Sequence, residues 1–265
     1  MQADRRTGGV LRRNDPAPVM LVNGDGLSNV VLCCEHAGRA IPAELGDLGL
    51  PMTERDRHIG WDIGAEGVAR VLSGILDAPL VLQRYSRLVV DCNRPFAAPD
   101  AIPEVSDGTP VPGNANLDEV ERRARFDAIH APFHEALGGL LDRRMAQGRQ
   151  SVLVAIHSFV PQLTGGAPRP WHLGALSNRD GRLALAFLDA FRVGNPDLVA
   201  AHNQPYEVDD LGDYTIPVHG ERRGLPHVLV EIRHDGIAEA SGQARWAGLI
   251  ARALTEAMTR MDLTK

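Results

Sequence analysis

Apolar residues along this chain fall into short continuous runs that alternate with longer helical stripes. Val30-Val31-Leu32-Cys33-Cys34 is a run of strand-forming side chains that stops at Glu35-His36-Ala37-Gly38, which predicts a strand buried on both faces followed by a loop. From about residue 55 to 77, Ile59, Ile63, Val68, Val71, Leu72, Ile75 and Leu76 recur at mostly helical spacing and predict a helix with one core-facing stripe. Pro79-Leu80-Val81-Leu82 and Arg87-Leu88-Val89-Val90-Asp91 predict two further strands, the second entering the turn-forming Asn93-Arg94-Pro95. Pro99, Pro103, Gly108, Pro110, Pro112 and Gly113 then predict a long irregular loop. The helical period returns between Leu117 and Gln147 through Phe126, Ile129, Phe133, Leu137, Leu140 and Leu141, with Pro132 expected to bend or divide the helix. The strand Ser151 to Ile156 follows, with His157 at its end. A Gly/Pro-rich loop from Pro161 to Leu173, a helix from Gly181 to Arg192, a strand from Leu225 to Arg233 and a final amphipathic helix from Ala238 to Met261 complete the pattern.

Strands alternating with helices imply an α/β fold: a three-layer α/β/α sandwich around a mixed, mostly parallel sheet, with ligands expected at the carboxyl ends of the strands. The 265 residues contain no linker between domain-sized units, so one catalytic domain over 28–265 is expected behind a flexible tail over 1–27. The formal charge of −6, from 28 Lys plus Arg against 34 Asp plus Glu, argues against a broad grip on nucleic acid or on an anionic membrane. No apolar run approaches the roughly 18 residues of a membrane span, and no apolar segment follows the arginine-bearing N-terminus as in a secretory signal, so a cytoplasmic location is expected. Cys33, Cys34 and Cys92 are read as reduced. The first two belong to an apolar strand and Cys92 serves as a small filler.

Candidate chemistry gathers at the predicted strand ends. His36, His157 and Glu231, separated by 121 and 74 residues, bring two imidazoles and a carboxylate to one sheet edge, a donor set that suits a zinc hydrolase with a position open for water. His130 and His134 are four apart on a helix but lack the Glu of His-Glu-x-x-His, and a partly solvated face is expected for them. No Gly-rich phosphate loop is present in the sequence.

The wording around these residues sharpens the picture. Glu35-His36-Ala37-Gly38, His58-Ile59-Gly60-Trp61-Asp62-Ile63-Gly64-Ala65, Tyr85-Ser86-Arg87-Leu88, Val90-Asp91-Cys92-Asn93-Arg94, Ala155-Ile156-His157-Ser158-Phe159, Arg169-Pro170-Trp171-His172, Asp213-Tyr214-Thr215-Ile216-Pro217 and Val230-Glu231-Ile232-Arg233-His234-Asp235 occur in this order. As an ordered series over roughly residues 28 to 255, the chain resembles the N-formylglutamate amidohydrolase family, relatives of the zinc carboxypeptidases. The resemblance implies a zinc carboxypeptidase-like fold, one zinc ion, and cleavage of N-formyl-L-glutamate to formate and L-glutamate within bacterial histidine catabolism. It implies His36 and His157 as zinc ligands. Arg39 stands where the carboxypeptidase relatives place the Glu of His-x-x-Glu, so a third ligand is expected elsewhere: Asp62, with Glu35 as the alternative. Asp62 also reads as an ordinary acid near a helix N-terminus.

Glu231 matches the relatives' general base and acid, a role compatible with an ion pair to Arg233 because residues two apart on a strand share a face. Asn93 and Arg94 match the pair that binds a substrate carboxylate, and Arg87 is expected to polarise the scissile carbonyl. Arg169 is the expected cation for a second carboxylate, with Arg222 and Arg223 as rivals, and Tyr214 is expected to close over the substrate as a hydrogen-bond donor. The implied partner is a small N-acyl amino acid; assembly into a homo-oligomer is left open. The alternatives are a related zinc amidohydrolase or carboxypeptidase acting on another N-acyl amino acid or peptide, and a non-catalytic amino-acid-binding protein with the same pocket, which the departure at Arg39 supports.

Overall fold

The computed structural model describes residues 9–264. Seven strands form one sheet in the spatial order Val19–Val22, Leu80–Gln83, Val30–Cys34, Val152–Phe159, His227–Arg233, Leu173–Leu176 and Ala200–His202. The central four, from Leu80–Gln83 to His227–Arg233, run parallel. The Val19–Val22 strand and the Leu173–Leu176 strand each lie antiparallel to their central neighbour, so the sheet is mixed and mostly parallel, as expected.

Alternation of side chains across each strand builds the two flanking layers. Val30, Leu32 and Cys34 point to one face, where Leu72, Phe187, Trp246 and Leu254 of the helices Ala65–Leu76, Arg182–Gly194 and Ala240–Arg260 cover them. Val31 and Cys33 point to the other face, against Phe133, Leu137 and Leu141 of the helix Ala131–Ala146. Coverage on both sides is why the central strands read as unbroken apolar runs. The long second-layer helix starts at Glu119 with a capping box, Asp118 accepting from the Glu121 N–H and Glu121 accepting in return. It passes through a π-helical turn, Phe126–His130, before Pro132, and that widened turn lets the helix continue past the residue expected to divide it. Among the described residues, no helix is long and apolar enough to cross a membrane.

Several elements differ from expectation. The helix predicted from about residue 55 begins at Ala65, because Gly64 adopts φ +80°, a left-handed conformation that keeps residues 60–64 out of the helix. Of the predicted stripe, Val68 and Leu72 are buried while Val71 and Ile75 face solvent. Leu88, Val89 and Val90 are buried but form turns instead of a strand, since Asp91 N–H pairs with Ala101 O and Val89 N–H with Ser86 O. The expected tail over 1–27 contributes the edge strand Val19–Val22: four consecutive apolar residues, too few to signal a strand alone, gain a ladder from Leu80–Gln83. Residues 1–8 of that tail lie outside the described residues. The strands Leu173–Leu176 and Ala200–His202 carry no sequence signal of their own and are formed by pairing onto an existing edge.

Candidate active site

The carboxyl ends of the parallel strands converge at one edge of the sheet. Val30–Cys34 runs directly into Glu35 and His36. His157 and Glu231 are partners in the parallel ladder between the next two strands, so their side chains stand side by side on one face. The irregular 60–64 segment is pinned beside them: Asp62 N–H donates to His36 O at 2.9 Å, and Asp62 Oδ2 accepts from Ser158 N–H at 3.0 Å. The Asp62 carboxylate thereby lies between the two imidazoles, 3.4 Å from His36 Nδ1 and 3.0 Å from His157 Nδ1. The two rings meet edge to face with centroids 4.8 Å apart. One ligand atom from each of these three buried residues falls within 4.8 Å of the others, a spacing compatible with a shared metal ion.

Each ring is backed by a carboxylate on its far side. His36 Nε2 lies 2.7 Å from Asp91 Oδ1, and His157 Nε2 lies 3.1 Å from Glu35 Oε2. A carboxylate only accepts, so each Nε2 donates its proton to the carboxylate behind it, and with an ion in place the two Nδ1 atoms that face Asp62 would be the ones free to bind it, the arrangement that orients a metal-bound imidazole. His36 Nδ1 is buried with no hydrogen-bond partner. Glu35, Asp62, Asp91 and Glu231 are four buried carboxylates, and Arg87 contributes one guanidinium, bonded to Asp91 at 2.6 Å and 3.5 Å from Asp62. With neutral rings and Glu231 protonated, that leaves three negative charges against one positive, an excess that a small dication complements. The orphaned Nδ1, the two nitrogen donors and the central carboxylate therefore fit a divalent metal.

The electrostatics show the same negative field. Burial opposes a charged His157, yet Glu35 and Asp62 hold its pKa well above the usual imidazole value. Burial likewise works against the Asp91 carboxylate, but Arg87 and His36 hold its pKa well below the ordinary range. Glu231 behaves in the opposite way. Burial pushes its carboxyl up to about 7, Asp62 adds to the rise, and His157, His36 and Arg87 oppose it. Its Oε2 is buried with no hydrogen-bond partner. A carboxyl so placed exchanges its proton near neutrality, which suits an acid and base.

The structure thus brings His36, Asp62, His157, Glu231 and Arg87 together. Glu35 lies behind the His157 ring, and Arg39 is turned to the surface, paired with Asp56 and stacked over Trp61. Asn93 and Arg94 sit beyond Asp91. The Asn93 amide donates to Asp213 at 2.8 Å and accepts from the Tyr214 and Thr215 N–H groups, while Arg94 pairs with Asp100 at 2.9 Å and with Asp213 at 3.4 Å. Arg169 donates to the Tyr206 hydroxyl and lies over the rings of Tyr206 and Phe159. Of its rivals, Arg223 pairs with Asp142. Tyr214 packs its ring against His130 and His134, and among the described residues no ring contact or hydrogen bond joins it to His36, Asp62 or His157. Those helical histidines are buried, not partly solvated: His134 bridges Cys92 O and His219, and His130 bonds to Arg94 O. Sequence reasoning gave no role to Asp91, although it stands inside the Val90-Asp91-Cys92-Asn93-Arg94 word; a buried-strand run ending in an acid was the available signal.

The chain is similar to the crystal structure of gene product Atu2144 from Agrobacterium tumefaciens, with 39% identity, coverage of 96% of this chain and 99% of that one, and a TM-score of 0.91. An N-formylglutamate amidohydrolase from Ralstonia eutropha JMP134 shares the fold, at 20% identity over 93% of this chain and 99% of that one, with a TM-score of 0.67. No curated protein sequence matches. The family model for N-formylglutamate amidohydrolase matches residues 28–238, a span that contains every residue of the site above. The chain therefore belongs to the N-formylglutamate amidohydrolase family, hydrolases that act on amide bonds.

Proposed function

We propose that this protein hydrolyses N-formyl-L-glutamate to formate and L-glutamate, with one zinc ion held by His36, Asp62 and His157. The observation that carries the reading is the pair of carboxylate-backed imidazoles whose Nδ1 atoms converge on Asp62 beside a protonatable Glu231. Two nitrogens and one oxygen are the donor set of catalytic zinc sites that keep a position open. When bound, the ion supplies a Lewis acid and makes a water acidic enough to act as a nucleophile near neutral pH.

The remaining work falls to the chain's own side chains. Asp91 and Glu35 fix the tautomer and the tilt of the two rings. Glu231 takes the proton from the attacking water and passes it to the nitrogen of the departing glutamate, a transfer favoured by a carboxyl whose pKa lies near 7. Arg87, braced by Asp91 and Asp62 and still partly exposed, donates to the formyl oxygen as negative charge builds on it. Arg94 anchors one carboxylate of the substrate, exchanging its exposed Asp100 partner for it, and Asn93 holds the turn on which Arg94 stands. Arg169 receives the second carboxylate.

Formate release from N-formyl-L-glutamate, measured beside N-acetyl and N-succinyl amino acids, tests the substrate. Elemental analysis with activity before and after chelation tests the ion. The reading expects preferential formate release that disappears with bound zinc and returns on adding zinc back. A folded protein that keeps full activity in chelator, or that prefers a longer acyl group, overturns it.

A further inference from the structure

One aromatic residue outside the motifs of the sequence, Tyr206, lies within electrostatic reach of the site. Gly174 lies directly across the antiparallel ladder from Glu231, and a Cβ there would overlap the Gln204 carbonyl oxygen. The missing side chain lets the 203–206 segment lie against the strand beside the general base. Asn203 ties that segment down, its N–H donating to Ala175 O and its side chain accepting from the Ser177 N–H. Tyr206 is thereby held with its ring under the Arg169 guanidinium, 4.8 Å from the ring centroid, and its oxygen accepts from Arg169 Nη1 at 2.9 Å. Arg169 is itself fixed at its backbone, by Pro161 O on one side and the Arg233 guanidinium on the other. Tyr206 is 41% exposed and within electrostatic reach of both Glu231 and Arg87. Burial of the ring's surroundings and Glu231 push the phenol pKa upward, so the hydroxyl keeps its proton at neutral pH. Arg169 uses an oxygen lone pair, and among the described residues no acceptor takes the phenol proton.

We propose that Tyr206 is a specificity residue: its hydroxyl, oriented by Arg169, donates to the same substrate carboxylate that Arg169 pairs with. The proposal rests on the amidohydrolase reading above and adds to it the basis for choosing acidic over apolar acyl amino acids. A carboxylate accepts both the guanidinium and the phenol, whereas an apolar side chain leaves two donors unpaired. A site built from hydrogen-bond donors rejects an analogue lacking the acceptor far better than a hydrophobic pocket rejects an extra group.

The test compares kcat/KM for N-formyl-L-glutamate and N-formyl-L-norleucine in the wild type, Tyr206→Phe and Arg169→Gln, with L-glutamate affinity followed by calorimetry. Tyr206→Phe is expected to lower the selectivity ratio roughly 10-fold, through KM for the acidic substrate, and to weaken L-glutamate binding by a similar factor. Combined with Arg169→Gln it is expected to lose less than the product of the two single effects, because the two donors share one acceptor. An unchanged selectivity ratio and L-glutamate affinity in Tyr206→Phe overturns the proposal. A wild type that binds L-glutamate through Tyr206 but deformylates nothing overturns the proposed reaction and leaves the recognition unit standing.

Discussion

Replacing Glu231 by glutamine removes the one carboxyl in the site that burial drives toward neutrality, and the consequences can be worked out for stability as well as turnover. The folded pKa is about 7 against an ordinary value of 4.5. Because the folded value is raised, the folded protein holds this proton more tightly than the unfolded chain does. Stability from this group is therefore fully present below about pH 4.5 and is lost as pH rises to about 7. The shift corresponds to about 3 kcal/mol. Glutamine does not titrate, so in chelator-treated protein the stability of Glu231→Gln relative to wild type should rise by about 2.5 kcal/mol of that between pH 5 and pH 8, read as urea midpoints at fixed m. The zinc-loaded enzyme should show the catalytic side of the same carboxyl, with turnover lowered roughly 10²-fold or more at undiminished metal content. It should also lose the limb of the wild-type pH profile in which activity rises as the carboxylate forms. A stability difference that is flat with pH would refute the burial argument, and unimpaired turnover would remove Glu231 from the mechanism.

Other substitutions probe the remaining parts of the site. His157→Ala should abolish stoichiometric zinc in a folded protein, checked by elemental analysis beside circular dichroism; retained zinc rejects the ligand assignment. Asp91→Asn leaves the three ligand atoms in place but removes the carboxylate behind His36, and metal affinity measured by competition with a chelating dye should fall roughly 10- to 100-fold. Gly64→Ala forces a side chain onto φ +80° and into the Ile237 carbonyl, two residues from Asp62. It should cost more than about 1 kcal/mol of unfolding free energy and weaken metal binding in parallel.

The sequence by itself determined the central strands, the long helices and the candidate site histidines standing at strand ends, because those features are written in local periodicity and in side chains next to one another. Val30–Cys34 announces a buried strand and His36 follows it two residues later, with no tertiary information needed to place that histidine at a sheet edge. Leu88–Val90 shows where such reasoning fails: apolar content fixes burial but not pairing, and the backbone there found partners in Ala101 and Ser86 before any strand. The edge strands Val19–Val22 and Leu173–Leu176 exist only because a neighbour was already present to receive their hydrogen bonds. Tertiary structure alone decided that Asp62, between two glycines in an irregular segment, turns inward to the imidazoles while Arg39 turns outward to Asp56. It also decided that Asp91 and Glu35 stand behind the rings, and that the 203–206 segment lies where Gly174 makes room, with Tyr206 against Arg169. Each of these depends on distances between residues far apart in the chain, and charge compensation in a buried, low-dielectric cavity is settled by those distances and by nothing local.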